Sequence, residues 1–294
     1  MSVKNVKNTT YLGIDIGGAN FKVVGLDKNR KVSYVYYKKC PVWHGTKYLE
    51  DEISFLNEIL DVKKIICGIT MTAELCDNFI DRNDGVKKIK TLCKNLKFKY
   101  LYFNNKTKRF FDSDTNNLSI ASMNWLSTAR FIQSHEDNAL VVDFGSTTTD
   151  VLVIKDSKIK NKFYSDFDRI NNNELIYTGC TRTPIFSILK KVKFKNSFFQ
   201  VIPEFFSNTA DLYRVKLMLD NSIDLFDTTD FRNKSILNSM KRISRNLAID
   251  YNKKNIPFIL KIVDELIYEQ KKQIFTSINN LIKLHKLSKN LPII

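Results

Sequence analysis

One element occurs twice in this chain, and it narrows the available folds more than any other feature. In the first copy an apolar run over Tyr11–Ile16, carrying Asp15 near its end, turns through Gly17-Gly18-Ala19-Asn20 into a second apolar run over 21–26. In the second copy, apolar runs over Ala139–Phe144 and 151–155 flank Gly145-Ser146-Thr147-Thr148-Thr149-Asp150, with Asp143 in the place of Asp15. Strand patterns of period two joined by a glycine turn read as β-hairpins. The alternation at 31–37 extends the first into a three-strand meander. A helical period follows over 49–60, with Leu49, Ile53, Leu56 and Ile59 on one face, and then a buried-strand pattern over 64–70. Strand, strand, strand, helix, strand predicts an α/β lobe, and the return of the hairpin predicts a second lobe beginning near residue 136.

The periodicity predicts further elements. A helix is expected over 85–95 with Asp84 as its cap, a strand over 100–103, and a helix over 117–132 through Ile120, Met123, Leu126 and Ala129. Residues 156–205 show no clear period. The chain then turns helical near 207–219, 233–251 and 256–287, the last with Ile259, Ile262, Val263, Leu266 and Ile267 on one stripe. The expected division is an N-terminal α/β lobe, 1–135, and a C-terminal lobe with a helical segment, 136–294. Leu291-Pro292-Ile293-Ile294 reads as the start of a further strand, as though the chain were cut before a last strand and loop.

The two hairpins carry the chemistry. Each sets a carboxylate at a strand end, then glycine, then small or hydroxylated residues, so that backbone N–H groups approach an anion closely. Gly17, Gly18, Asn20 and Lys22 in the first, and Gly145, Ser146, Thr147 and Thr148 in the second, are the candidate phosphate-binding residues. Carboxylates do not bind phosphate, so Asp15 and Asp143 are candidate ligands of a hydrated Mg²⁺ or orienters of water. Arg182, in the loop Tyr177-Thr178-Gly179-Cys180-Thr181-Arg182-Thr183-Pro184, suits an anion through forked hydrogen bonds, or pairs at the surface. Thr70-Met71-Thr72-Ala73-Glu74-Leu75-Cys76-Asp77 follows a strand, so its polar side chains emerge where α/β proteins place ligands. The same string also fits a polar helix N-terminus, with a threonine as cap and Glu74 facing the dipole. Asp211 and Arg214, three apart on an expected helix, face a ligand or pair with one another.

Taken together, these strings, with Cys40-Pro41-Val42-Trp43, resemble the hydantoinase/oxoprolinase-related proteins linked to tetrahydromethanopterin one-carbon transfer, within the sugar kinase, chaperone and actin superfamily. The similar positions run from about 11 to 214. The resemblance implies two ribonuclease-H-like (actin-like ATPase) lobes around a phosphate-binding cleft, with a helical C-terminal part. It implies a transferase like the methanofuran-biosynthesis synthase, which joins the phenol of γ-glutamyltyramine to a furanmethyl diphosphate and releases diphosphate. In that reading Glu74 is a general base for a phenol of pKa ~10. Thr70, Thr72, Asp77, Asp211 and Arg214 are then substrate-binding, and Asp15 and Asp143 are catalytic through Mg²⁺. ATP use stays open, because the superfamily contacts adenosine through a late glycine-rich loop and none of the nine glycines here follows Gly179. The alternatives are an ATP-dependent small-molecule kinase or hydantoinase-like hydrolase of the same superfamily, and a non-catalytic phosphate-binding module.

Composition weighs on the partners. The excess of 47 basic over 31 acidic residues gives a net charge of +16, which ordinarily points to nucleic acid. Only 10 of the 47 are arginine, the residue that reads bases and phosphates in forked geometry, and the lysines are spread along the whole chain. A small-molecule enzyme is expected, with no nucleic-acid or membrane partner. Five unpaired cysteines and three scattered histidines form no disulfide framework and no zinc pattern. Residues 1–10 are polar and no apolar run approaches a membrane span, so a cytoplasmic protein is expected.

Overall fold

The computed structural model describes residues 6–61, 63–111, 116–288 and 290–294. The first half of the polar N-terminal stretch, 1–5, lies outside them. The chain divides into two compact units, Met1–His135 and Glu136–Ile294.

Unit 1 is built on the meander. Strands β1 (Tyr11–Ile16), β2 (Asn20–Leu26) and β3 (Val32–Lys39) are followed by helix α1 (Lys47–Ile59) and strand β4 (Ile66–Met71). Helix α2 (Arg82–Cys93), strands β5 (Lys99–Asn104) and β6 (Arg109–Phe111), and helix α3 (Asn124–Gln133) complete it. The six strands form one sheet in the order β3-β2-β1-β4-β5-β6, with β4 parallel to β1 and β5 parallel to β4. That order, an antiparallel meander extended by parallel strands, is the α/β lobe that the sequence pattern predicts. Leu12, Ile14 and Ile16 alternate inward along β1 and meet Phe21, Val23, Leu49, Leu56, Ile69 and Ile89 in one core. Each fully buried side chain of this kind stabilises by about 1.5–3 kcal/mol.

Two expected helices are corrected. The cap of α2 is Asp81, whose side chain accepts from the Asp84 N–H, so the helix starts three residues before Gly85. Over 117–132 the chain makes a short 3-10 turn, Asn117–Ser119, opened by Asn116 accepting from the Leu118 N–H, and α3 begins only at Asn124. Between them Ala121 bridges Met71 in parallel, and Ser122 takes a left-handed φ of 54° that no helix tolerates.

Unit 2 opens on the second hairpin, β7 (Ala139–Phe144) and β8 (Thr149–Lys155), and continues through β9 (Lys158–Ile159), α4 (Asp166–Asn171) and β10 (Leu175–Ile176). Then come α5 (Ile185–Ile188), a small hairpin of β11 (Lys191–Phe194) and β12 (Ser197–Gln200), and helices α6 (Thr209–Val215), α7 (Ile236–Asn246) and α8 (Ile256–His285). β10 pairs with β8 as β3 pairs with β2. The segment 291–294 lies parallel beside β7, with the Val142 N–H donating to the Ile294 carbonyl at 2.9 Å and the Ile294 N–H to the Leu140 carbonyl at 2.9 Å. It occupies against β7 the place β4 occupies against β1. The stripe on α8 is double: Ile259, Ile262, Val263, Leu266 and Ile267 pack among α5, α6 and α7, while Ile278 and Leu281 cover the β7–β8 sheet. Among the described residues no helix is long and apolar enough to cross a membrane.

Candidate functional site

The two hairpin turns are closed by the same hydrogen bond. In the first, the Gly17 N–H donates to the Asn20 carbonyl at 3.0 Å, and in the second the Gly145 N–H donates to the Thr148 carbonyl at 2.9 Å. In each unit the segment leaving the third strand crosses over the turn and donates its own N–H groups to it. Cys40 and Val42 donate to the Ala19 and Gly18 carbonyls, at 2.9 and 3.0 Å; Cys180 and Arg182 donate to the Gly145 and Ser146 carbonyls, at 2.9 and 3.0 Å. The turn carbonyls are thus committed to the scaffold. Among the described residues no acceptor takes the N–H of Gly18, Ala19, Ser146 or Thr147. Free N–H groups at the tip of a rigid turn are what an anion-binding concavity requires.

Gly18 is crowded rather than strained: a Cβ there would stand 2.9 Å from the Cys76 sulfur, which would have to shift to admit it. Asn20 is buried within the turn, and its carbonyl closes the loop.

Sheet register then lines up side chains beside each turn. Asp15 sits opposite Lys22 on β2 and opposite Thr70 on β4. The Lys22 ammonium reaches the Asp15 carboxylate at 3.2 Å, and the Thr70 hydroxyl donates to it at 3.3 Å. In unit 2 the corresponding row holds two acids, Asp143 opposite Asp150. Asp143 is exposed, whereas Asp150 is 8% exposed and is paired with the buried Arg169 of α4 at 2.8 Å. Burial pushes the Asp150 carboxyl above its ordinary range, the Arg169 charge opposes the push, and the Asp143 charge adds to it. Arg169 also donates to the Glu174 carbonyl at 3.1 Å, which ties α4 to β10. Asp150 belongs to the repeated motif, but nothing in the sequence marks Arg169 as its partner.

The remaining candidates separate. The Thr72 N–H donates to the Ile16 carbonyl at 2.9 Å, which joins the segment after β4 to the first turn. Thr72 opens a 3-10 turn, Ala73–Leu75, without a side-chain cap bond. Glu74 is 1% exposed and accepts from the Ser122 hydroxyl at 2.7 Å, so its carboxylate braces this turn against the chain entering α3. Asp77 is exposed, beyond that turn. Arg182 donates to the Thr147 hydroxyl at 3.3 Å and lies over the Phe226 ring at 5.3 Å, which holds its guanidinium beside the second turn.

Asp211 and Arg214 pair with one another at 2.8 Å, and both are buried. Asp211 also takes two donors of the fully buried Arg242, at 2.7 and 3.0 Å, and Arg214 forks onto Asp224 at 2.6 Å through each of two nitrogens. Arg242 reaches on to Asp230. The pairing that their spacing allows is thus present, within a larger network of buried ions.

Among the described residues no cluster of three or more histidine, cysteine, aspartate or glutamate side chains forms a metal cage. Mg²⁺ takes few protein ligands, commonly one or two carboxylates with water and substrate phosphates. Asp15 and Asp143, each beside an open turn, fit that sparse donor set.

The hydantoinase/oxoprolinase family model matches residues 67–218. The chain belongs to the hydantoinase/oxoprolinase family. A relative from Methanocaldococcus jannaschii, (4-{4-[2-(gamma-L-glutamylamino)ethyl]phenoxymethyl}furan-2-yl)methanamine synthase, is 32% identical over 244 residues, covering 81% of this chain and 72% of that protein. The enzyme of the same name from Methanococcus vannielii is 39% identical over 129 residues, 42% of this chain and 56% of that one. Among solved structures, the ethanolamine utilization protein EutJ from Carboxydothermus hydrogenoformans aligns with 96% of this chain and 75% of its own, at a TM-score of 0.44 and 12% identity.

Proposed function

We propose that this hydantoinase/oxoprolinase family protein is a transferase that forms the aryl ether named in its relatives, condensing the phenol of γ-glutamyltyramine with an aminomethylfuran-methyl diphosphate. The observation that carries the reading is the 32% identity to the synthase across 81% of the chain. The turns support it, since each presents unused N–H groups to an anion. In the reaction the phenol oxygen bonds to the furanmethyl carbon as the carbon–oxygen bond to diphosphate breaks. The bonding pair leaves with the diphosphate, and the phenol proton passes to water.

Charge develops mainly on the leaving diphosphate, because a furfuryl-type carbon sustains positive character and makes nucleophile activation secondary. The chain's residues act accordingly. A turn's free N–H groups, Gly18 and Ala19 in unit 1 or Ser146 and Thr147 in unit 2, stabilise departing oxyanions without reorganising, and each turn has a cation near it, Lys22 in the first and Arg182 in the second. When bound on Asp15 or Asp143, Mg²⁺ supplies further neutralisation of that charge. The burial of Glu74 supports the same ranking, since its carboxylate is already engaged by Ser122.

The test is incubation with γ-glutamyltyramine, the furan diphosphate and Mg²⁺, with the coupled ether read by mass. Absence of the ether, or ADP formation from ATP in its place, overturns the reading. Asp15→Asn and Asp143→Asn are expected to lower turnover by about 10²–10³-fold, the range for losing a principal charge-stabilising group. Glu74→Gln is expected to cost about tenfold or less. The reverse order in a diphosphate-release assay contradicts the ranking.

A further inference from the structure

We infer that Gln270, on the long helix α8, is a positioning residue for the second anion turn, an inference that rests on the anion-binding reading above.

The argument starts from a polar side chain in the wrong place. The buried stripe of α8 is mainly apolar, with Leu266 and Ile267 before Gln270 and Ile278 and Leu281 after it beside the small Ser277, yet Gln270 is 0% exposed. A buried amide without partners costs about 1–3 kcal/mol, so its bonds explain its presence. Its amide nitrogen donates to the Thr178 hydroxyl at 2.8 Å and to the Gly179 carbonyl at 2.9 Å. Its amide oxygen accepts from the Tyr213 hydroxyl at 2.7 Å, which fixes the orientation of the amide. Every strong valence of the side chain is directed at one elbow, Thr178-Gly179, or at locking that direction.

The elbow in turn shapes the turn. Gly179 lies so close to it that a Cβ would stand 2.5 Å from the Ser146 carbonyl carbon and 2.6 Å from the Thr147 nitrogen. The next residues donate to the Gly145 and Ser146 carbonyls. Holding those carbonyls on the elbow side turns the Ser146 and Thr147 N–H groups away from it, toward a ligand. The Thr209 hydroxyl also donates to the Gly179 carbonyl at 2.9 Å, and the Gly179 N–H donates to the Thr183 hydroxyl at 2.8 Å. Gln270 differs from these in position: it is carried by the helix whose two halves pack on the helical cluster and on the β7–β8 sheet, so the elbow takes its place from both.

The experiment measures inorganic pyrophosphate with Mg²⁺ by calorimetry, alongside steady-state kinetics and thermal melting, in the wild type, Gln270→Glu, Thr178→Val and Tyr213→Phe. Gln270→Glu removes both donors and faces a carboxylate to the Gly179 carbonyl. Its pyrophosphate Kd and its KM for the diphosphate substrate should rise at least fivefold, with kcat within threefold. Thr178→Val removes one bond of the pair and should raise Kd about two- to threefold, which carries the test if Gln270→Glu does not fold. Tyr213→Phe keeps both donated bonds but loosens the amide that makes them, so its Kd should rise by less than that of Gln270→Glu even where its melting temperature falls as far. Kd values that simply follow the melting temperatures across the series would make Gln270 a packing residue and overturn the inference, as would a wild type that binds no pyrophosphate. Pyrophosphate binding that responds as stated, with no ether formed, overturns the transferase reading and leaves the role of Gln270 standing.

Discussion

Gly179→Ala is expected to lower kcat/KM for the diphosphate substrate by at least about 100-fold, the scale associated with displacing a reacting group by an ångström. The added Cβ would meet only backbone, at 2.5 Å from the Ser146 carbonyl carbon and 2.6 Å from its oxygen and from the Thr147 nitrogen. No rotamer relieves such a contact, so either the elbow or the turn must move. Overpacking of this kind costs about 1–3 kcal/mol of stability, and thermal melting should show it. At Gly18 the neighbour is instead the Cys76 sulfur, which has a rotamer to change, so Gly18→Ala should be the milder of the two. Equal activity of Gly179→Ala and the wild type would show that the second turn does not hold the substrate.

The second large effect is on stability alone. Asp211→Ala leaves the guanidinium groups of Arg214 and Arg242, 9% and 0% exposed, with the carboxylate between them removed. Taking one partner from a buried ion pair costs about 3–5 kcal/mol where the remaining charge is left alone, and the lower end applies here because Arg214 keeps Asp224 and Arg242 keeps Asp230. For a chain of this size, at about 2–4 °C per kcal/mol, the melting temperature should fall by roughly 10 °C. A residue that bound substrate would show the opposite signature, a raised KM at unchanged melting temperature. Arg214→Met with Asp211 intact should cost less, since Asp211 keeps Arg242.

The legible parts of the fold are those with an uninterrupted period. Leu12, Ile14 and Ile16 alternate without a break, and Ile259 to Ile267 keep a helical stripe, so β1 and α8 stand where the pattern puts them. The region 156–205 looked irregular because its elements are too short for a period to show: α4 has six residues and β10 has two. The expected helix over 117–132 failed because Ile120, Met123 and Leu126 keep helical spacing across a chain that leaves the helix at Ser122; all three reach the core by another route.

The site divides in the same way. Asp15, Asp143 and the turn residues are adjacent in sequence, so a local motif reveals them. The partners that hold them are distant: Arg169 reaches back to Asp150, and Gln270 to Thr178. A lone glutamine in an apolar stripe gives no local sign of whether it faces solvent or a buried carbonyl. Arg182 was visible as an arginine among lysines, but the Phe226 face beneath it was not.

Duplication has given this chain two turns of one geometry and two different electrical characters. Beside the first turn the row Lys22, Asp15, Thr70 is neutral in sum. Beside the second, Asp150 is paired with the buried Arg169 while Asp143 opposite it is exposed. The first turn meets an anion beside a carboxylate already paired with a lysine, the second beside an exposed carboxylate with a guanidinium held at the turn itself. Repeating the backbone element has therefore not repeated its electrostatics, and the charge substitutions Asp15→Asn and Asp143→Asn should respond differently to added salt.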